Sequence, residues 1–267
     1  MNADQALLES MLASGGIRTV FQPIYEISAD KRTSLWAVEA LARGPAGTGL
    51  EQAGALFEFV RRMRAEPTVD RACFASALAE AKALPDLPPV TLNVHASTLG
   101  RDPEFVLFLS ELAEQSGFTP ERIIIEVVEQ APSWHQPTFR RNIDQLRNRG
   151  FRLALDDLGV GHSNLQLVLE VRPHVLKIDG AIVRGCHSDY YRWALVEWAH
   201  MLATRLGAWS LAEGIEDQAD LAAATACGIR LVQGHVFCHA MSASELALTN
   251  HLARSRLVLS ELPVEAA

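Results

Sequence analysis

Seven short apolar runs in this chain each end in a side chain that can hold a cation, carry a positive charge or take a proton. They are Trp-Ala-Val-Glu39, Val-Thr-Leu-Asn93, Ile-Ile-Ile-Glu126, Leu-Ala-Leu-Asp156-Asp157, Val-Leu-Lys177, Ser-Leu-Ala-Glu213 and Arg-Leu-Val-Gln233. Glu39, Asn93, Glu126, Asp156 and Asp157 offer hard oxygen ligands of the kind Mg2+ or Mn2+ takes, with no cysteine or histidine beside them to suggest zinc. Gathered in one place, such carboxylates repel one another unless a cation sits among them. Two divalent ions roughly 3.5 to 4 Å apart are a recurrent solution to phosphodiester hydrolysis, because they activate a water and neutralise both developing oxyanions. Lys177 fits there as a positive group near the water or the transition state. Glu213 could accept the proton of the attacking water or bind the second ion. Taken alone, Asp156-Asp157 reads equally well as a helix N-cap after a strand; its companions favour the metal reading.

These tips meet only if the runs are strands laid parallel around a barrel, whose C-terminal ends share one face. The first two strands, Thr19 to Ile27 and Leu35 to Ala42, are joined by Ser28 to Arg32, a link too short for a crossover helix, so they are expected to be antiparallel. From Glu51 onward helical and strand-like stretches alternate. Helices are expected near Gln52 to Arg64, Thr68 to Ala83, Pro103 to Ser116, Gln136 to Arg149, Ser163 to Leu169, Ser188 to Leu206, Gln218 to Cys227 and Ala243 to Ser255, with strands near Val90, Ile124, Ala154, Leu176, Leu211 and Leu231. The expected fold is α/β: a TIM-like (β/α)8 barrel with an antiparallel first strand, preceded by a short helix from Asp4 to Leu12. All 267 residues are read as a single domain, with its core over residues 16–257 and a short acidic tail after it.

The 24 basic and 32 acidic residues give a formal charge of −8, the wrong sign for a partner that is a nucleic-acid polymer. No run reaches the roughly 20 apolar residues of a membrane span, and the first residues lack the basic-then-apolar order of a secretory signal. Cys73, Cys186, Cys227 and Cys238 stand far apart, as reduced thiols of a cytoplasmic protein would. The nine histidines are read as forming no metal motif, and His162 as an ordinary polar loop residue. Trp193, Leu195, Val196 and Trp198 share one expected helix and read first as packing, with a homodimer interface as the other reading.

At this point the residues resemble a known family. Phe21-Gln22-Pro23-Ile24, Glu39-Ala40-Leu41 with Arg43, Asn93-Val94, Glu126 with Glu129, Asp156-Asp157-Leu-Gly-Val-Gly, Leu176-Lys177-Ile178-Asp179, Ala212-Glu213-Gly214-Ile215-Glu216 and Gln233-Gly234 are similar, in order and spacing, to the EAL family. The resemblance covers roughly Val20 to Met241. It implies a phosphodiesterase that opens cyclic di-GMP to linear pGpG. It also implies metal ligands at Glu39, Asn93, Glu126, Asp156 and Asp157, the catalytic lysine at Lys177 and the general-base candidate at Glu213. Gln233 would complete the metal shell, partly through water, and face the substrate. Gln22, Leu41 and Arg43 match ligand-contacting positions, whereas Glu129 and Glu216 match glutamates that support the ligands.

The chain departs from the family's pattern around the loop after the aspartates. Leu158, Val160, His162 and Asn164 stand where the pattern has Phe, Thr, Tyr and Ser, so an aromatic ring and a hydroxyl are lost. Arg230 replaces an acidic residue, and Ala240 a proline. None of these changes removes a metal ligand or the lysine. The leading reading is a metal-dependent phosphodiesterase; its rival is an EAL-like receptor or protein-interaction module that binds without turnover.

Overall fold

The computed structural model describes residues 3–128, 136–158 and 165–249. Eight strands close into a barrel in sequence order: β1 (Arg18–Ile27), β2 (Thr33–Arg43), β3 (Val90–His95), β4 (Ile123–Val128), β5 (Arg152–Leu158), β6 (Val175–Ile178), β7 (Trp209–Ala212) and β8 (Leu231–Val232). β1 runs antiparallel to both β2 and β8, and every other pair is parallel. The five-residue link explains the reversal. Ser28 N bonds Arg32 O at 2.9 Å and Lys31 takes a φ of +59°, closing a hairpin with no room for a helix.

Helices surround the barrel. α1 (Ala3–Leu12) precedes it, α2 (Ala53–Met63) and α3 (Glu66–Ala81) join β2 to β3, and α4 (Ala96–Arg101) and α5 (Phe105–Ser116) join β3 to β4. α6 (Pro137–Asn148) and α7 (Leu165–Val171) follow β4 and β5. α8 (Gly180–Val183) and α9 (Tyr190–Arg205) lie between β6 and β7, α10 (Gln218–Ala226) between β7 and β8, and α11 (Ala243–Leu248) after β8. The sequence reading omits α4 and α8, both short and both starting directly behind a strand. The expected extension of the last helix to Ser255 runs beyond the described residues.

The packing explains why the tips converge. Ile24, Ala37, Ile124, Ala154, Val175, Leu211 and Leu231, one from each strand but β3, touch one another as the barrel interior. Because strand side chains alternate, the residue two further along points the same way. That residue is Glu39 after Ala37, Glu126 after Ile124, Asp156 after Ala154, Lys177 after Val175, Glu213 after Leu211 and Gln233 after Leu231. On the reversed strand the count runs backward, from Ile24 to Gln22, which is paired with Glu39. Period two therefore delivers an apolar floor and a polar ring above it. The intervening residues, such as Val38, Ile125, Leu155 and Leu176, face outward and pack against the helices.

Candidate active site

Lys177 is 2% exposed at the centre of this ring. Its Nζ lies 2.5 Å from Glu126 Oε1, 2.7 Å from Glu213 Oε1, 3.4 Å from Asp156 Oδ1 and 3.6 Å from Glu39 Oε1. Glu39 is further held by Asn93 Nδ2, which donates to Oε1 at 3.0 Å, and by Gln233 Nε2, which donates to Oε2 at 2.7 Å. Thus seven of the tips read from the sequence are brought together. One ammonium faces four carboxylates.

That imbalance sets the protonation of the ring. Burial works against the Lys177 charge, but Asp156, Glu126, Glu213 and Glu39 together keep the ammonium firmly protonated. Burial pushes the Glu126 carboxyl well above the usual range; Lys177 pulls it down, and Glu39, Asp156 and Glu213 push it up again. Glu213 is raised for the same reasons, burial first, with Asp156 and Glu39 adding to it against Lys177. Asp156 goes the other way: burial opposes ionisation, and Lys177 with the Asp157 backbone N–H overcomes it. Four carboxyl groups thus share one ammonium, with Glu126 and Glu213 pushed toward the neutral form and Asp156 toward the charged one.

Asp157 stands apart from the ring. β5 carries an irregularity between Leu155 and Leu158, and Asp157 occupies the left-handed region with a φ of +57°. Its side chain is turned toward Asp179 rather than Lys177, and burial, then the Asp156 and Asp179 charges, push its carboxyl up to about 6. Asp179 was given no role by the sequence reading, yet it also caps α8, accepting from Ala181 N at 2.6 Å.

The remaining residues fall around the mouth. Gln22 Nε2 reaches Cys238 O at 3.4 Å, and Arg43 donates to Ala42 O at 2.9 Å. Leu41 lines a cavity of about 210 Å3 whose wall is polar at Glu39, Asn93 and Asp156 and apolar at Phe57, Phe74 and Leu92. Glu216 is half exposed in an ion pair with Arg184 at 3.0 Å and is not among the carboxylates around Lys177. Glu129 and the loop residues Val160, His162 and Asn164 lie outside the described residues. A further pair that the sequence gave no sign of braces β3 from behind: His95 is bonded through Nδ1 to Asp70 at 2.8 Å, twenty-five positions away.

The ring suits hard divalent cations. Glu126 Oε2 and Gln233 Oε1 are buried oxygens that accept no hydrogen bond, and Asp156 Oδ1 faces Lys177 Nζ at 3.4 Å; buried acceptors without partners are costly unless something else satisfies them. All are oxygens, with no sulfur or imidazole in the ring, as Mg2+ or Mn2+ prefers.

The EAL domain family matches residues 4–240, a range that contains all eight strands of the barrel. The chain belongs to the EAL domain family. Among its relatives is the cyclic di-GMP phosphodiesterase RocR of Pseudomonas aeruginosa, 28% identical over 171 residues, an alignment covering 63% of this chain and 43% of RocR. The chain spans less than half the length of the curated relatives it matches. Its EAL barrel superimposes on Klebsiella pneumoniae BlrP1 in a calcium and cyclic di-GMP complex with a TM-score of 0.75, at 29% identity over 86% of this chain and 57% of that one. A standalone EAL protein of Vibrio cholerae O395 in its cyclic di-GMP-bound form gives a TM-score of 0.73 at 25% identity, covering 85% and 93%.

Proposed function

We propose that this EAL barrel hydrolyses cyclic di-GMP to linear pGpG with two bound divalent ions, Mg2+ or Mn2+. The observation that carries the reading is the ring itself: four carboxylates around one buried ammonium, with oxygen atoms left unpartnered. Relatives named as cyclic di-GMP phosphodiesterases supply the substrate class.

In this reading Glu39, Asn93, Glu126, Asp156 and Asp157 hold the ions, and Gln233 completes the shell while facing the substrate. Bound there, the ions would lower the pKa of water and neutralise charge on the phosphoryl oxygens. Lys177, fully charged, orients the attacking water and stabilises negative charge as it develops. Glu213, whose basicity is raised by burial, accepts the proton. Gln22, Leu41 and Arg43 hold the substrate, and the mainly apolar cavity beside Leu41, polar at Glu39, Asn93 and Asp156, suits a molecule that joins purine rings to phosphates. Glu216 and Glu129 keep the supporting role that the family resemblance implies for them.

The reading places the protein in the cytoplasm, where its four free cysteines stay reduced. Among the described residues no helix is long and apolar enough to cross a membrane. It also makes the protein a homodimer through α9. Val196 of that helix is buried and Trp193 packs on the core, whereas Tyr191, Leu195, Trp198 and Met201 are exposed at spacings of four, three and three. Light scattering on the wild type and on Trp198→Glu tests this: a dimer mass lost on substitution is expected, and a monomer in both discards it.

Hydrolysis is tested by incubating the protein with cyclic di-GMP and Mg2+ or Mn2+ and separating the products by chromatography. pGpG is the expected product. No product at high enzyme concentration, together with tight binding in Ca2+, would replace the enzyme by the receptor.

A further inference from the structure

Four of the six described histidines have a ring nitrogen committed. His95 binds Asp70, His174 accepts from Leu153 N at 3.0 Å, His187 binds Asp220 at 2.7 Å and His200 binds Ser210 at 2.8 Å. His235 and His239 differ. Both are exposed, and their rings face each other with centroids 4.0 Å apart and planes 37° apart. They stand four positions apart in the sequence, a spacing that one helical turn closes. Phe237 N and Cys238 N both bond Gly234 O, at 3.1 and 3.3 Å, winding this stretch into one helical turn that brings side chains four apart onto the same side.

We propose that His235 and His239 form a two-histidine site for a divalent transition ion of the Zn2+, Cu2+ or Ni2+ class, on the rim of the barrel beside β1. Adjacent nitrogens around an ion at about 2.0 to 2.1 Å stand about 3 to 3.4 Å from each other. Rings 4.0 Å apart and tilted by 37° converge toward one edge, where each can present a nitrogen to a common ion. Imidazole suits these ions far better than Mg2+, which keeps the rim site chemically separate from the oxygen ring around Lys177. Cys238 is not a third ligand: its thiol is buried against the Tyr25 hydroxyl. Water or an incoming ligand fills the other positions.

The rim site is connected to the mouth by Gln22, whose Nε2 reaches Cys238 O between the two histidines in sequence. An ion held there adds a positive point next to a residue assigned to substrate contact. A second cluster, His187 with Asp217 and Asp220, carries no such proposal, because its atoms are already engaged. Asp220 accepts from Gly185 N, His187 N and the His187 ring, and Asp217 caps α10.

The site requires no hydrolytic activity, so its test is independent of the function proposed above. Untagged protein in millimolar Mg2+ is titrated with Cu2+ by calorimetry and followed by electron paramagnetic resonance, which tells imidazole nitrogen from oxygen ligands; Zn2+ is then used to compete. We expect an ion showing coupling to two imidazole nitrogens, bound at least tenfold more weakly by His235→Asn and by His239→Asn, and unchanged in His187→Asn. A double variant that keeps both the affinity and the nitrogen coupling would overturn the proposal. So would a wild-type ion coupled to no imidazole.

Discussion

Gly214 lies against Gly180 so closely that a side chain on either meets the other's backbone. A Cβ on Gly214 would stand 2.9 Å from Gly180 Cα, and one on Gly180 would stand 3.1 Å from Gly214 Cα. Gly214 also takes a φ of +61°, where a side chain is strained. The contact joins the start of α8, behind Lys177, to the loop behind Glu213, and Lys177 Nζ lies 2.7 Å from Glu213 Oε1. Gly214→Ala is therefore expected to destabilise the protein by about 1 to 3 kcal/mol and to lower pGpG formation, since Glu213 moves with its neighbour. Gly54→Ala is the control, because a Cβ there meets nothing within 4 Å. Denaturant melts and turnover of the two variants decide it; equal behaviour would remove the argument.

His174 governs a pH effect at the opposite end of the barrel. Its Nδ1 must be unprotonated to accept from Leu153 N, and burial, helped by Arg147 and Arg152, holds the imidazole below its ordinary value. The unfolded chain takes up this proton below about pH 6.5 while the folded chain resists it. The contribution is thus complete above that pH and is lost as the pH falls through the folded value. His174→Asn keeps an acceptor and does not titrate. Urea unfolding at pH 7.5 and 5.5 should show a larger loss of stability on acidification in the wild type than in the variant, with turnover at neutral pH alike in both. Parallel losses would assign the acid sensitivity elsewhere.

Much of this was legible because the strand code is local. Branched apolar runs announce the strands, the five-residue link announces the reversed one, and a polar residue two places after an interior one announces the ring. What stayed hidden depends on distant partners or on a break in that code. Strict alternation puts Asp157 on the side opposite Asp156, but it foresees neither the left-handed turn at the irregularity in β5 nor the partner Asp179. The Asp70 and His95 pair and the Gly180 and Gly214 contact join positions 25 and 34 apart in sequence, and nothing near either residue signals the other. The resemblance makes Glu216 a glutamate that supports the ligands, and its ion pair with Arg184 becomes visible only in three dimensions.

Lys177→Ala should abolish pGpG formation and leave the fold intact in the presence of Mn2+. Removing the ammonium leaves four carboxylates to face one another, so without divalent ions the variant is expected to lose about 3 kcal/mol of stability. Mn2+ should then raise its melting temperature by more than it raises that of the wild type. Turnover at the wild-type rate would reject the role assigned to this residue.

Glu126→Gln separates a metal ligand from a structural partner. Burial and its acidic neighbours already favour the neutral carboxyl at this position, and an amide of the same shape still accepts from Lys177 through its oxygen. Stability without metal should therefore change by less than about 1 kcal/mol. The amide cannot supply the negative charge that a divalent ion requires, so Mn2+ affinity is expected to fall at least tenfold and turnover at least a hundredfold. Calorimetric titration with Mn2+ alongside a chemical melt reads both quantities on one preparation. A variant that binds Mn2+ as the wild type does, but unfolds much more readily, would make Glu126 a partner of Lys177 alone and move the ion to the other carboxylates.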